Sequence, residues 1–434
     1  MMPFIDADER LRKACRVLDR ARRKAPHYRR ACRELGEVET WEEWLKVPFL
    51  TRDVLYNHTW PRSSELLTCE VESMLVTSTG GSSGMARYGL LTYDEWDAFV
   101  TVQAEALRLL GVERRDLVAN LFVAGSLWPS FFALHEIIKT IGAVHLPISA
   151  NIDIDRILEF IIEFRPTVLL SLPTVFVFLA DKILERGLNL DHVRLIGFAG
   201  EHLSDNIRAH LHRAFGDQVQ ISALAYTSAD CGLMGYQCRH CGPKVYHLPT
   251  DFQFIEIHDL ERDCPCAAGE TGEVVVTNLA RFSFPVIRYL IGDLARWLPE
   301  SCPCGDPNPL FSLEGRAGAD FKLGGAYIAM GQVEKALSPV ISRDGISATF
   351  QLELEDLADN LLQVRLLVES SNPERSAVHV EEIKERLRRE ISEIEKGEEL
   401  NYVVLKVEFI ELGSLERSPI TGKVQHLHDK RVEE

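Results

Sequence analysis

The sequence has no apolar run of about 18 residues, the length a helix needs to cross a bilayer, so no membrane span is expected. Residues 1–24 are charged throughout and lack the apolar core of a secretory signal peptide. Basic residues are scarce: 48 Lys and Arg face 65 Asp and Glu, and the net charge of −17 argues against a nucleic-acid partner. We therefore expect a cytoplasmic protein that binds neither nucleic acid nor membrane.

Internal repeats and low-complexity segments are also absent, which excludes solenoids and disordered tails from the expected architecture. With 434 residues, 46% of them hydrophobic, the chain is long enough for more than one domain, each with its own core. Because no export signal accompanies the ten cysteines, they indicate thiols or metal ligands rather than a disulfide framework.

Strand-like and helix-like segments alternate between residues 115 and 225. Gly142 and Gly187 stand where two of the helices should end, and Pro173 stands where one should begin. Strands that alternate with crossover helices predict a mostly parallel sheet with both faces covered.

A different pattern follows residue 240, where strand and turn signals alternate without helices. It predicts an antiparallel β subdomain whose strands include residues 252–260, 269–279 and 284–292. Beyond residue 320 the chain starts afresh with helix and strand patterns, and a charged helix is predicted over 379–395. The fold class is therefore α/β, with a large first region and a small α+β unit after a boundary near 316–320.

One loop combines little side-chain bulk with many small hydrogen-bond donors. Residues 77–87, "TSTGGSSGMAR", contain three glycines and five hydroxyl side chains. Backbone N–H groups can approach an anion closely at glycine, so a polyphosphate is a natural ligand. No Gly-Lys-Ser/Thr follows, so the loop is not a Walker loop, and a flexible surface turn is the alternative interpretation.

Six segments now occur in one order: "STGGSSG" (78–84), "FAGEHLS" (198–204), "AYTSAD" (225–230), "IRYLIGDLARW" (287–297), "EGRAGADFKLGG" (314–325) and "SPITGK" (418–423). This series resembles the adenylate-forming superfamily of acyl-CoA synthetases and, within it, the phenylacetate-CoA ligase family. The resemblance covers nearly the whole chain. It implies that a carboxylate attacks the α-phosphate of ATP to give acyl-AMP and pyrophosphate, after which the thiol of coenzyme A displaces AMP.

The resemblance also assigns domains and a phosphate loop. Residues 1–316 are expected to form a large adenylation domain that binds ATP and the carboxylate, and residues 317–434 a small mobile domain. The residues expected to wrap the β- and γ-phosphates are Ser78, Thr79, Gly80, Gly81, Ser82, Ser83 and Gly84.

Other positions match residues of the family that contact the nucleotide. Tyr226 matches the aromatic residue that stacks on adenine, and Asp293 the carboxylate that binds the ribose hydroxyls. Arg316 is expected near the ribose and phosphate, and Gly200 and Glu201 along the adenine and acyl pocket. Taken alone, Asp293 would be read as a turn residue, Arg316 as part of a boundary salt bridge, and Glu201 as a residue ahead of a helix.

The resemblance further assigns two charged groups to catalysis and exposes departures from the family pattern. Lys423 matches the terminal lysine that reaches the carboxylate and α-phosphate; otherwise it would be a solvated tail residue. Asp230 stands where the family mostly has a Glu that helps hold Mg²⁺, and Asp is one methylene shorter. The usual loop lysine has no match, with Arg87 the nearest cation, and the usual acidic hinge position is Gly318.

Cysteines occur in three close pairs, which predicts a structural zinc site with four S or N ligands. The pairs are Cys238 and Cys241, Cys264 and Cys266, and Cys302 and Cys304, with His247 between the first two. By resemblance to relatives with a zinc site we favour Cys302 and Cys304, joined by two of Cys238, Cys241 and His247. Free thiols on loops are the alternative.

The sequence thus predicts an ATP-dependent ligase that joins an aromatic or other small carboxylic acid to coenzyme A, with ATP, Mg²⁺ and structural Zn²⁺ as cofactors. An adenylating enzyme that loads a carrier-protein or protein thiol is one alternative, and a non-catalytic nucleotide-binding homologue is another. A homodimer is a family-level expectation only.

Overall fold

The computed structural model describes residues 7–78, 87–200, 203, 205–260, 262–316, 321–323, 326–328, 330–357, 361–399, 403–415, 424 and 426–430. The chain divides into two compact units. The first consists of Met1–His202 and His212–Ala317, and the second of Leu203–Leu211 and Gly318–Glu434.

The α-helices of the described residues are α1 (Ala7–Lys24), α2 (Pro26–Ala31), α3 (Trp41–Trp44), α4 (Arg52–His58), α5 (Tyr93–Leu110), α6 (Ser130–Ile141), α7 (Ile154–Phe164), α8 (Pro173–Arg186), α9 (Asp205–Phe215), α10 (Met330–Leu337), α11 (Pro373–Ser376), α12 (Val380–Glu390) and α13 (Ser392–Glu399). None of the described helices is long and apolar enough to span a membrane.

The strands are β1 (Met74–Ser78), β2 (Tyr88–Thr92), β3 (Leu117–Asn120), β4 (Val144–Pro147), β5 (Val168–Ser171), β6 (Leu195–Phe198), β7 (Gln220–Ala223), β8 (Tyr226–Ser228), β9 (Gly232–Gly235), β10 (Val245–His247), β11 (Gln253–Asp259), β12 (Cys264–Pro265), β13 (Thr271–Asn278), β14 (Tyr289–Leu298), β15 (Leu310–Arg316), β16 (Phe321–Leu323), β17 (Ala326–Ile328), β18 (Ile346–Asp356), β19 (Leu362–Ser370), β20 (Val403–Glu411) and β21 (Leu427–Asp429).

The predicted parallel sheet is confirmed: its strand order is β4-β3-β5-β6-β7, with every neighbouring pair parallel. Every residue of β5 and β6 is buried, as expected when helices cover both faces. Helices α6 and α8 end at Gly142 and Gly187, which adopt left-handed φ values of 83° and 60°. The proline that predicted the start of α8 stands at its first position.

The antiparallel subdomain is a six-stranded sheet of order β10-β15-β14-β13-β11-β12. One predicted strand was misplaced: residues 284–292 were expected to be extended, but β14 begins at Tyr289 and runs to Leu298. Arg288, just before it, has a left-handed φ of 48°, which no strand accommodates. The strand therefore starts five residues later and carries Asp293 within it.

A fully buried ion pair connects this sheet to the amino-terminal helices. Arg288 Nε donates to Glu256 Oε1 at 3.0 Å, and the two side chains are 2% and 0% exposed. Arg288 Nη2 donates to Glu256 Oε2, Nη1 donates to the carbonyls of Leu45 and Val47, and Trp44 Nε1 donates to the same carboxylate. The segment after α3 is thus fastened to β11 and to the start of β14.

The second unit contains a four-stranded mixed sheet of order β20-β19-β18-β21. Alternate residues of β18 and β19 point into its core, and Ile383 and Leu387 on α12 add an i, i+4 pair to it. The charged helix predicted over 379–395 is divided into α12 and α13 at Ile391, which has φ −128° and ψ 86°. The unit is α+β, as predicted.

We predict that Glu256→Gln lowers the free energy of unfolding by about 3 kcal/mol or more, because it leaves the Arg288 guanidinium buried without a counter-charge. Replacing both Glu256 and Arg288 by Met should cost less than Glu256→Met or Arg288→Met alone, since no uncompensated charge remains. Urea denaturation of these variants measures this. Additive losses in the double variant would contradict a coupled pair.

Candidate functional site

The strand hairpin β1–β2 carries the two ends of the glycine-rich loop. Ser78 and Tyr88 face each other across it. Residues 79–86, which include the other predicted phosphate-binding positions, lie outside the described residues. The Ser78 N–H donates to the carbonyl of Leu127 at 2.9 Å, in the segment that follows β3. The hairpin therefore opens beside the carboxyl end of the parallel sheet, where α/β folds bind ligands.

Asp230 and Arg87 form an ion pair beside this hairpin. Arg87 Nε and Nη2 both donate to Asp230 Oδ2, at 3.0 and 2.9 Å. The Asp230 side chain is 3% exposed and that of Arg87 is 16% exposed. Burial lowers the pKa of Arg87, but the charge and hydrogen bonds of Asp230 more than offset this and raise its pKa overall. Asp230, the predicted magnesium ligand, is therefore held in place by Arg87, the cation nearest the glycine-rich loop.

Tyr226 and Asp293 come together although they lie 67 residues apart. The Tyr226 hydroxyl donates to Asp293 Oδ2 at 2.6 Å. Asp293 also faces Arg316 across the β14–β15 pairing. The structure describes the backbone of Arg316 but not its side chain.

A break in the register of β14 directs Asp293. Between the pairs Val275–Leu290 and Glu273–Leu294, β13 has one residue and β14 has three, so β14 bulges. Gly292 lies in this bulge with φ 83°, a value that favours glycine. Asp293 is therefore a bulged strand residue rather than the turn residue that its sequence alone indicated.

Of three other predicted site residues, Gly200, Glu201 and Lys423, the structure describes only Gly200. Gly200 follows β6, at the same edge of the parallel sheet as the β7–β8 connection. Glu201 and Lys423 lie outside the described residues, as does Gly318, the position where the family usually has its acidic hinge residue.

Four of the predicted metal ligands converge. The ligand atoms of Cys238, His247, Cys302 and Cys304 all lie within 4.8 Å of one another. Cys238 Sγ is 3.5 Å from Cys302 Sγ, and Cys304 Sγ is 3.5 Å from His247 Nε2. Cys241 stands beside this group, with its Sγ 3.6 Å from that of Cys238. The third pair, Cys264 and Cys266, is not part of it.

The geometry suits a tetrahedral metal ion. Sulfur separations of 3.5 Å are compatible with two thiolates that share an ion at about 2.3 Å. His247 Nδ1 lies 3.3 Å from the Asn308 carbonyl; donating its proton there leaves Nε2 free as a ligand. Burial lowers the pKa of His247, which favours the neutral imidazole that binds metals. The residues therefore fit a structural zinc ion.

Sequence reasoning missed the polar residues behind this cluster. Tyr236 stacks on the His247 ring with centroids 5.2 Å apart, and its hydroxyl donates to Asp306 Oδ2 at 2.5 Å. Asn308 Nδ2 donates to the same hydroxyl at 2.9 Å, and its Oδ1 accepts from Thr250. The segment "CGDPNP", which begins at Cys304, was the available signal, because Asp, Asn and Pro are typical of a tight loop.

No family model matches the chain, but comparison with individual known proteins finds relatives that cover most of its length. Over 420 residues it is 24% identical to the phenylacetate-coenzyme A ligase of Aromatoleum evansii, covering 94% of this chain and 91% of that protein. The phenylacetate-coenzyme A ligase of Pseudomonas putida is equally similar, with 94% and 90% covered. The predicted resemblance to phenylacetate-CoA ligases is confirmed.

Solved structures give the same result for the fold. A 2-hydroxyisobutyryl-CoA ligase in complex with 2-HIB-AMP superposes with a TM-score of 0.81 at 20% identity, covering 97% of this chain and 89% of that one. ATP-bound MatB from Rhodopseudomonas palustris gives 0.58 at 16% identity, with 81% and 66% covered. The chain has the fold of adenylate-forming acyl-CoA ligases.

Proposed function

We propose that this protein is an AMP-forming acid–thiol ligase. A carboxylate oxygen of the acid attacks the α-phosphorus of ATP, the bond to the β-phosphate breaks, and pyrophosphate leaves. The thiol of coenzyme A then attacks the acyl carbon, and AMP leaves with the electron pair of the broken C–O bond. The observation that carries the proposal is the bond between Tyr226 and Asp293, which joins the predicted adenine and ribose contacts into one site.

Tyr226 and Asp293 bind and orient the nucleotide in this proposal. Asp293 accepts hydrogen bonds from the ribose hydroxyls, and the Tyr226 hydroxyl holds the carboxylate at Oδ2 while its ring faces adenine. Catalysis of this kind depends on positioning and charge stabilisation rather than on a covalent enzyme intermediate. Residues 78–84 and Arg316 are proposed to contact the phosphates, and Gly200 and Glu201 the adenine and acyl pocket.

Asp230 is proposed to hold Mg²⁺, which neutralises charge on the phosphates when it is bound. Magnesium commonly takes one or two protein carboxylates together with substrate phosphates, so a single Asp suits it. Arg87 occupies Oδ2, and none of the described residues bonds the other oxygen, Oδ1. Asp230 therefore offers one oxygen to a cation while Arg87 holds the other.

We retain the division into a large adenylation domain, 1–316, and a small mobile domain, 317–434, as part of the proposal. Lys423 would then act in the first half-reaction only. Lys423→Ala should slow acyl-AMP formation and spare thiolysis of supplied acyl-AMP in single-turnover kinetics, and equal losses in both steps would remove it from this role.

The acid is proposed to be a small carboxylic acid, aromatic in the first instance. The curated relatives are named for phenylacetate, whereas the solved relative of highest TM-score quoted above is named for 2-hydroxyisobutyrate. Incubating the chain with ATP, Mg²⁺ and a panel of aromatic and short hydroxy acids should release pyrophosphate with at least one acid class, before any thiol is added. Comparing coenzyme A with a phosphopantetheinylated carrier protein identifies the acceptor. If none of the acids in the panel leads to pyrophosphate release, the chain is better explained as a non-catalytic nucleotide-binding homologue.

We predict that Asp293→Asn weakens nucleotide binding by about 2 kcal/mol, roughly 30-fold in Kd, because an amide offers one acceptor where the carboxylate offers two. The fold should survive, since the change is nearly isosteric. Calorimetry with a non-hydrolysable ATP analogue measures the affinity. Asp251→Asn, an exposed carboxylate with one bond to Lys13, is the control and should bind normally. Equal affinity in both variants would remove Asp293 from the site.

The Cys/His cluster is proposed to hold one structural Zn²⁺ through Cys238, His247, Cys302 and Cys304. Elemental analysis of protein purified without chelator should find about one zinc per chain. Cys302→Ser should lose the metal, while Cys69→Ser, an exposed thiol elsewhere, should retain it. Cys241→Ser should also retain it; loss there would show that the ligand set has been chosen wrongly.

A further inference from the structure

Arg281 is a buried arginine whose hydrogen bonds to the described residues all go to backbone carbonyls, and whose guanidinium lies 4.8 Å from the centre of the Phe284 ring. It follows β13 and is 3% exposed. Its Nε and Nη2 donate to the Leu90 carbonyl at 3.1 and 2.9 Å. Its Nη1 donates to the carbonyls of Ala229 at 3.3 Å and Asp230 at 2.5 Å. One guanidinium therefore joins two segments that lie almost 140 residues apart.

This arrangement is costly in free energy. A buried guanidinium without a counter-charge loses its hydration, and burial lowers the pKa of Arg281 although the charges of Glu95 and Asp230 oppose this. Glu95 does not pair with it directly: Oε1 accepts from the backbone N–H groups of Phe282 and Ser283 instead, at 2.7 and 2.8 Å. An apolar side chain here would leave the carbonyls of Ala229 and Asp230 without these donors, so Arg281 satisfies backbone groups of both segments at once.

The two segments that Arg281 joins carry the two halves of the Arg87–Asp230 ion pair. Leu90 lies on β2, three residues after Arg87, and Ala229 and Asp230 form the turn between β8 and β9. Gly89 lets the segments touch: a Cβ there would lie 2.7 Å from the Ala229 carbonyl oxygen and 2.9 Å from Arg281 Nη2. Arg281 thus fixes the spacing between Arg87 and Asp230 through the backbones of the segments that carry them.

We propose that Arg281 is a positioning residue for the adenylation step, which holds the strand leaving the glycine-rich loop at the distance from Asp230 that the magnesium–nucleotide complex requires. This inference rests on the proposed function. Arg281 does not touch the substrate in this role; it acts through the backbone of Leu90 and Asp230. A lysine offers one ammonium in place of the planar fork and cannot reach all three carbonyls together.

Arg22 provides a control. It belongs to the same unit and its Nη1 and Nη2 also donate to two backbone carbonyls, those of Gly36 and Leu35, but it lies on α1 and ties that helix to the segment after α2. Arg22→Lys should lower the unfolding temperature and leave nucleotide binding unchanged. Arg281→Lys should lower the unfolding temperature as well, so this readout shows only that both arginines are structural supports.

The discriminating measurements are calorimetric binding of Mg²⁺ with a non-hydrolysable ATP analogue, and single-turnover pyrophosphate release. Arg281→Lys should bind the analogue about 10-fold more weakly and release pyrophosphate about 100-fold more slowly, as expected for a small misplacement of groups that act together. Arg22→Lys should match the wild type in both. Parallel behaviour of the two variants, whether both fail or both succeed, would overturn the positioning role.

Gly89→Ala tests the same contact from the opposite side and is informative even if Arg281→Lys does not fold. The added methyl group would lie 2.7 Å from Thr77 Oγ1 and from the Ala229 carbonyl oxygen, and 2.9 Å from Arg281 Nη2. The Thr77 hydroxyl can rotate away, but the carbonyl or the guanidinium must shift, so the same loss of binding and rate is expected. Wild-type binding in Gly89→Ala would count against the proposal. If the wild-type chain binds the analogue but activates no acid, the proposed function fails, and the binding comparison between the variants still decides the role of Arg281.

Discussion

The backbone pairing of β15 with its two neighbours determines where the functional residues of the first unit lie. On one side Leu310 pairs with His247 of β10, and on the other Arg316 pairs with Asp293 of β14. Seven extended residues span about 20 Å, so one strand sets the distance between the Cys/His cluster and the carboxylate proposed to bind ribose. A shift of this strand by one residue would turn every side chain to the opposite face and break both arrangements.

The cluster explains how β15 is held at its amino-terminal end. The connection from β14 to β15 contains Cys302 and Cys304 and is otherwise polar, with Asp306 and Asn308 engaged by the Tyr236 hydroxyl. Its apolar core is small and consists mainly of cysteine side chains with Leu310. A metal ion bound here would replace the missing hydrophobic core, because its ligands tie the connection to the strands before it.

Sequence patterns predicted the elements whose signals are local. The parallel sheet followed from apolar runs bounded by Pro173, Gly142 and Gly187, since these residues act through their own backbone angles. The predicted start of β14 was wrong because Arg288 has a left-handed backbone, and its side chain is buried against Glu256, a partner 32 residues away, so neither feature has a local sequence signal. The composition of the nucleotide site came from its resemblance to a family, whereas contacts such as Arg281 to backbone carbonyls have no sequence signal at the acceptor, which can be any residue.

The two departures from the family pattern are connected in space. The loop lysine has no counterpart, and a shorter Asp replaces the usual Glu at 230; the structure pairs this Asp with Arg87, the cation that follows the loop. Because Asp is one methylene shorter than Glu, its carboxylate lies about 1.5 Å closer to its own backbone, and the long Arg87 side chain can still reach it there. Replacing a buried ion pair by apolar residues of similar volume is often neutral or stabilising, so stability alone does not require these two charges. A phosphate and metal site of the kind proposed above does require them.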